Sequence, residues 1–212
     1  MKNSIKTLFV AALTVVALSS ATTILNATEV NSSYTALTKV KNITKIAVSG
    51  NVKLILVQDG KESIEVFDKY YANNALVQQQ GSELRISSFS KDALTVIAHV
   101  NNISSIEASN TSSVLTSGNF NLLNLNIVLK DKATATVNTN TVSLTTIIND
   151  GTSLNLLGTT ENHTAVLGNE AKIKMDDFAA ANTDISIAPR AVYAKNLSRY
   201  EDLKTDLLEK LF

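Results

Sequence analysis

"NDGTSLNLLG", residues 149–158, sets Asp150 and Gly151 at a turn and follows them with threonine and serine hydroxyls, the makings of a loop that grips an ion or a phosphate. The stretch also alternates. Leu154 and Leu156 fall on one parity and Ser153 and Asn155 on the other, as in a strand with one buried face. Site and scaffold are both legible in these ten residues, and the rest of the chain decides between them.

The turn recurs. Asn110, Asp131, Asp150, Asn169 and Pro189 stand in one column with steps of 21, 19, 19 and 20 residues, inside "SNTSSV", "KDKATA", "NDGTSL", "GNEAKI" and "APRAVY". Around each corner the even offsets are mostly apolar: Ile106, Val114, Ile127, Leu129, Val137, Ile148, Leu154, Leu156, Leu167, Ile173, Met175, Ile185 and Tyr193. The odd offsets are mostly Ser, Thr, Asn, Lys and Glu. Gly50 fits the same frame through Ile46, Val48, Val52, Leu54 and Leu56, and Asp92 fits it in part through Leu94, Val96 and Ala98.

A unit of about 20 residues cannot bury an apolar face alone, and stacked copies can, by forming one continuous core. The expectation is therefore an all-β solenoid over residues 41–197 with about 20-residue coils, successive coils pairing through parallel ladders. A β-sandwich competes for alternating strands, but it requires neither a fixed period nor a fixed corner. Upstream, "ESIEVF" and "ELRIS" alternate at Ile64, Val66, Leu84 and Ile86, whereas "FDKYYANNALVQQQ" (67–80) does not and reads as a loop, a short helix or an irregular crossing.

The ends differ in kind. Residues 1–21 carry Lys2 and Lys6 ahead of an apolar run at 8–18 and the small residues Ser19 to Ala21, the pattern of a signal peptide too short to span a bilayer. Cleavage is expected after Ala21, with Ala27 as the alternative, and residues 22–40 read as an N-terminal linker. Residues 198–212 open with Ser198 and Glu201 as a capping box and place Tyr200, Leu203, Leu207, Leu208 and Leu211 at helical spacing. This short C-terminal amphipathic helix is expected to cover the last coil or, failing that, to form an oligomer contact.

Composition narrows the function. Nineteen Lys and Arg balance nineteen Asp and Glu, with no long run of one sign, so nothing marks a nucleic-acid or anionic-membrane partner. Cysteine is absent, which excludes disulfide staples and a cysteine-borne lipid anchor. Tryptophan is absent too, leaving few of the aromatic platforms on which sugars and bases stack.

"ITKIAVSGNVKLILVQDGKESIEVF", "GSELRIS" and the run of corners resemble the bacterial auto-transporter adhesin head GIN domain family, a domain of unknown function. Ile46, Val48, Gly50, Val52 and Leu54 match the family's opening strand pair, and the corners have drifted from Ser-Gly-like sequences to SNTS, KDKA, NDGT, GNEA and APRA. The resemblance covers about residues 40–195. It implies a secreted, single-stranded right-handed β-helix-like fold with an interaction role in the periplasm, at the outer cell surface or in the medium. It carries no catalytic residues with it.

Asp131 and Asp150 are the sharpest candidate site. One coil apart, two such carboxylates would stand about 5 Å from each other, as a carbohydrate-active enzyme or a calcium site requires. The plainer reading is that Asn, Asp, Asp, Asn and Pro share a column because corners favour residues that form Asx turns or tolerate positive φ. His99 and His163 are the only histidines. His163, beside Glu161, lacks the further ligands of a metal site and reads as a buried or edge histidine satisfied by backbone. "MDD" (175–177) reads as a turn, and "YED" (200–202) as acids offsetting a helix dipole. No nucleophile elbow, Walker loop, dinucleotide fingerprint or EF-hand pattern occurs. The leading expectation is a non-enzymatic interaction module without cofactor or metal, meeting a glycan or a cell-surface protein through exposed Thr, Asn and Ser ladders, with homo-oligomerisation open. The alternatives are a carbohydrate-active enzyme using Asp131 and Asp150, and a purely structural cell-envelope protein.

Overall fold

The computed structural model describes residues 35–37, 39–67 and 75–188. The signal peptide, the corner at Pro189, the "YED" acids and the C-terminal helix read from the sequence lie outside the described residues. All regular structure within them is β: β1 (Thr35–Leu37), β2 (Lys45–Gly50), β3 (Val52–Gln58), β4 (Ser63–Phe67), β5 (Ala75–Gln80), β6 (Glu83–Ser88), β7 (Leu94–Val100), β8 (Ser105–Ala108), β9 (Ser113–Ser117), β10 (Phe120–Leu129), β11 (Thr134–Ile148), β12 (Ser153–Leu167) and β13 (Lys172–Ile187). Together they form one mixed, curled 13-stranded sheet.

From Ser105 onward the sequence repeat becomes the ladder step. β11 lies parallel to β12 with Thr134 opposite Ser153 and Ile148 opposite Leu167, and β12 lies parallel to β13 with Leu154 opposite Ile173 and Ala165 opposite Ile185. At each corner a four-residue turn closes: the N–H of Ser112, Ala133, Thr152 and Ala171 donates to the carbonyl of Ser109, Lys130, Asn149 and Gly168. The backbone solves the same corner in different ways. Positive φ falls on Asn110 (58°) and Asp131 (62°) in two corners but on Gly151 (78°) in the third. Asparagine and aspartate tolerate that region better than other side chains, which accounts for Asn110 and Asp131, whereas Asp150 leaves the positive φ to the glycine after it.

Each coil bends again where the alternation slips. Leu122 and Leu125 are both buried with Leu123 and Asn124 exposed between them, and the slip repeats at 142–143 and 161–162. Two outward residues in succession let one strand pass around a core that lies on its inner side on both sides of the bend.

Residues 45–100 differ from a consecutive winding. β2 lies between β6 and β8, and β3 between β7 and β9, so the first coil in sequence is flanked by two later ones. The chain leaves β3 through the turn at 59–62, skips the neighbouring slot, and fills it later with β7. β4 and β5 run antiparallel to β7 and β6, and β1 adds antiparallel to β4. The stretch 67–80, without clean alternation, thus contains a strand, and Thr35–Leu37 within the expected linker forms another.

The inward parity is as the sequence predicts across the middle of the stack. Ile46, Val48, Leu54, Leu84, Ile86, Val96, Ile106, Val114, Ile127, Val137, Ile148 and Leu156 belong to one buried cluster. Coils approach closely enough that a Cβ on Gly50 would collide with the Ser88 carbonyl, at a residue already at φ 78°. It fails at β13, where Ile185 and Ile187 are 46% and 68% exposed.

Candidate functional site

The corner column brings Asp131 and Asp150 to successive bends but not to each other. The Asn110 N–H donates to Asp131 Oδ2 at 3.0 Å, and the Glu170 N–H donates to Asp150 Oδ1 at 2.8 Å. One carboxylate therefore serves the preceding corner and the other the following one. Each closes a backbone donor that the turn would leave to water, a structural use of the acid. Among the described residues, no group of three or more His, Asp or Glu side chains could hold a metal.

His163 is 2% exposed, and its Nε2 lies 3.1 Å from Thr146 Oγ1. Its ring meets Phe178 edge-on at 5.4 Å. The partner is thus a threonine hydroxyl from the neighbouring coil rather than backbone. Desolvation holds the imidazole below its ordinary pKa, favouring the neutral ring. His99 stands at the surface beside Asp59, with Nδ1 3.4 Å from Oδ2. "MDD" is not a turn: it lies within β13, where the register to β12 slips by one residue between Asn155 and Leu157.

A different face gathers the polar side chains that could meet a partner. Asn121 and Asn140 are opposite one another in the ladder, as are Asn140 and Thr159. Asn140 Nδ2 donates to Asn121 Oδ1 at 3.3 Å, and Thr159 Oγ1 donates to Asn140 Oδ1 at 3.0 Å. Gln58 extends the row from a coil far away in sequence: its Nε2 donates to the carbonyls of Asn101 and Asn121, and its Oε1 accepts the Asn121 N–H at 2.9 Å. A second row follows at the bend, where Asn182 Nδ2 donates to Asn162 Oδ1 at 3.1 Å. Beside the first row opens a shallow hollow of about 650 Å³, bordered by Gln58, Asn102, Asn121, Asn140, the buried Leu122 and two exposed aliphatic side chains. These are Leu123, 71% exposed, and Val142, 41% exposed. No charged side chain lines the hollow.

The sequence signals for this face are present but faint. Asn121 and Asn140 share the 19-residue step, and "FNLLNLN" places Leu123 where the alternation should put a polar residue. Nothing local links Gln58 to Asn121.

Parallel-paired strands with polar corners, an amide ladder and an uncharged hollow characterise an all-β domain built on one mixed sheet. A family model described as "Putative auto-transporter adhesin, head GIN domain" matches residues 42–196. The chain belongs to that family. Solved structures with the same fold include a "putative adhesin" from Bacteroides fragilis NCTC 9343 (TM-score 0.62, 16% identity, 73% of this chain and 75% of that one). A "putative adhesin" from Parabacteroides distasonis ATCC 8503 aligns with TM-score 0.56 at 14% identity over 73% and 77% of the two chains. A "putative lipid binding protein" from the same strain aligns with TM-score 0.57 at 12% identity over 73% and 78%. Among curated proteins no match is found. No helix among the described residues is long and apolar enough to cross a membrane.

Proposed function

We propose that the chain is a non-catalytic interaction module, secreted or held at the cell surface, whose contact surface is the amide ladder and the Leu123–Val142 hollow. The stack from Ser105 onward is, in this reading, a right-handed β-helix-like solenoid: parallel neighbours 19 or 20 residues apart leave one connection per coil, and such parallel crossovers are right-handed in nearly all sheets. The observation that carries the proposal is the pairing of chemistries at the hollow. Exposed leucine and valine supply apolar contact at the centre, and the Gln58, Asn121 and Asn140 amides supply a rim that fixes orientation. An uncharged rim fits a neutral glycan or a protein surface, consistent with the balanced charge of the chain. Membership of an adhesin-like family supports the extracellular address.

The test is a glycan array together with affinity capture from intact cell surfaces, using wild type and Leu123→Asp/Val142→Asp. A retained ligand that the double variant loses, with unfolding midpoint unchanged, is the expected result. Ligands bound equally by both proteins would move the contact surface elsewhere, and turnover of a polysaccharide by the wild type would overturn the non-catalytic reading.

A further inference from the structure

The neutral hollow is one end of a longer groove. Asn101 and Asn102 border it and also border a second hollow of about 530 Å³, walled by residues 40–44 and 60–62. The two differ in charge. No charged side chain lines the first, whereas Lys41, Lys61 and Glu62 line the second. Glu62 is committed to the fold, since its Oε1 accepts the Ile43 N–H at 3.1 Å. The lysines are not. Among the described residues neither ammonium has an ion-pair or hydrogen-bond partner, whereas Lys130 is held by Glu107 and Lys174 by Asp176. The second hollow therefore keeps an excess of positive charge.

The amide row starts where the hollows meet. Gln58 bridges the carbonyls of Asn101 and Asn121, Asn140 follows one coil on, and Thr159 closes the row. Four coil-to-coil steps of about 4.8 Å give it a length of roughly 19 Å. Donors and acceptors repeated at that spacing suit a chain of polar units rather than one small molecule. An extended peptide does not fit the row as an added strand, because the Asn121 N–H and C=O that it would pair with are both taken by the Gln58 amide.

We infer that the groove takes a glycan chain with a carboxylate on one of its units, the acidic sugar seated against Lys41 and Lys61 and neutral units lying along the amide row and over Leu123 and Val142. This rests on the neutral hollow as the contact surface and adds the charge of the ligand to that reading. Asparagine and glutamine amides each offer donors and an acceptor, which is what neighbouring sugar hydroxyls require. Leu123 and Val142 meet the apolar face of a ring, and the two ammonium groups meet the carboxylate as point charges.

The test measures binding of the chain to oligosaccharides of hyaluronate and of polygalacturonate, each beside its methyl ester, in which the backbone is unchanged and the charge is gone. Wild type should hold at least one acid form about tenfold more tightly than its ester, with the gap closing as salt rises. Lys41→Gln/Lys61→Gln should erase the gap and leave the unfolding midpoint unchanged, because both lysines are exposed. Leu123→Asp/Val142→Asp should lose acid and ester alike. A gap that survives in the lysine variant, or no binding of any of the four oligosaccharides, overturns the inference. So does poly-glutamate bound as tightly as the acid sugars, which would make the occupant an acidic peptide. An ester held as tightly as its acid by wild type and lost by Leu123→Asp/Val142→Asp would also overturn it, while leaving the contact surface itself in place.

Discussion

Asp131 and Asp150 occupy equivalent corners of adjacent coils, yet their carboxylates face away from each other along the stack, one bonded to the Asn110 N–H and the other to the Glu170 N–H. Each acid therefore acts on its own pair of corners. Asp150→Ala should cost about 0.5–1.5 kcal/mol, the loss of one exposed hydrogen bond to a charged acceptor, and Asp131→Ala somewhat more, because its backbone holds φ 62°, which alanine tolerates less well. The double variant should equal the sum within about 0.5 kcal/mol, because the two share no partner. Urea unfolding of the four proteins measures this, and a coupling well above that limit would restore a direct interaction between the acids.

Close stacking makes a glycine comparison informative. Gly158 sits at φ 99°, and an added Cβ would fall on the Thr139 carbonyl of the neighbouring coil, whereas Gly118 sits at φ 86° with open space around it. Gly118→Ala should cost about 1–2 kcal/mol, from the left-handed backbone alone. Gly158→Ala adds a backbone collision in the ladder and should cost several kcal/mol or prevent folding. Thermal midpoints of the two variants test the difference, and similar losses would mean that the coils can part at Gly158 at little cost.

How much of this was legible follows from what each signal measures. Side-chain parity is local, so Leu154, Leu156, Ile127 and Val137 could be assigned inward from the sequence, and the 19-residue step fixed their ladder partners. The order of coils is not local. Nothing in "ITKIAVSGNVKLILV" says that β2 and β3 will be flanked on one side by residues 83–100, because the same alternation is satisfied in any slot of a parallel stack. A column of Asn and Asp likewise identifies corners but not the direction in which a carboxylate turns, which depends on which neighbouring N–H is left free. His163 was legible as buried, while its threonine partner depended on the coil-to-coil register.

Burial of His163 carries a pH dependence. Desolvation lowers its folded pKa below the unfolded value of 6.5, so in the window beneath that value the unfolded chain binds more protons. Its contribution is then absent above the unfolded pKa, destabilises progressively as pH falls through it, and levels off below the folded pKa. The wild type should lose stability between pH 7 and 5, and His163→Leu/Thr146→Val, which removes both the imidazole and the hydroxyl it would orphan, should lose less. Chemical denaturation at a series of pH values checks it, and equal slopes in both proteins would remove His163 as the cause.

Gln58 joins the ladder to the rest of the stack through both ends of its amide: two donations to the carbonyls of Asn101 and Asn121 and one acceptance from the Asn121 N–H. Gln58→Ala removes all three at a half-buried position and should cost about 1–2 kcal/mol. Gln58→Glu keeps the size and the acceptor but turns the donor into an oxygen facing two carbonyl oxygens. At neutral pH it should be at least as destabilising as Gln58→Ala, although it differs from wild type by one group. Protonation restores a donor, so the variant should recover part of the loss as pH falls through the carboxylate range near 4, opposite in sign to the His163 effect. Unfolding of wild type, Gln58→Ala and Gln58→Glu at pH 4 and 7 distinguishes the outcomes; a Gln58→Glu protein as stable as wild type at pH 7 would mean that the acceptor bond alone holds Asn121 in the row.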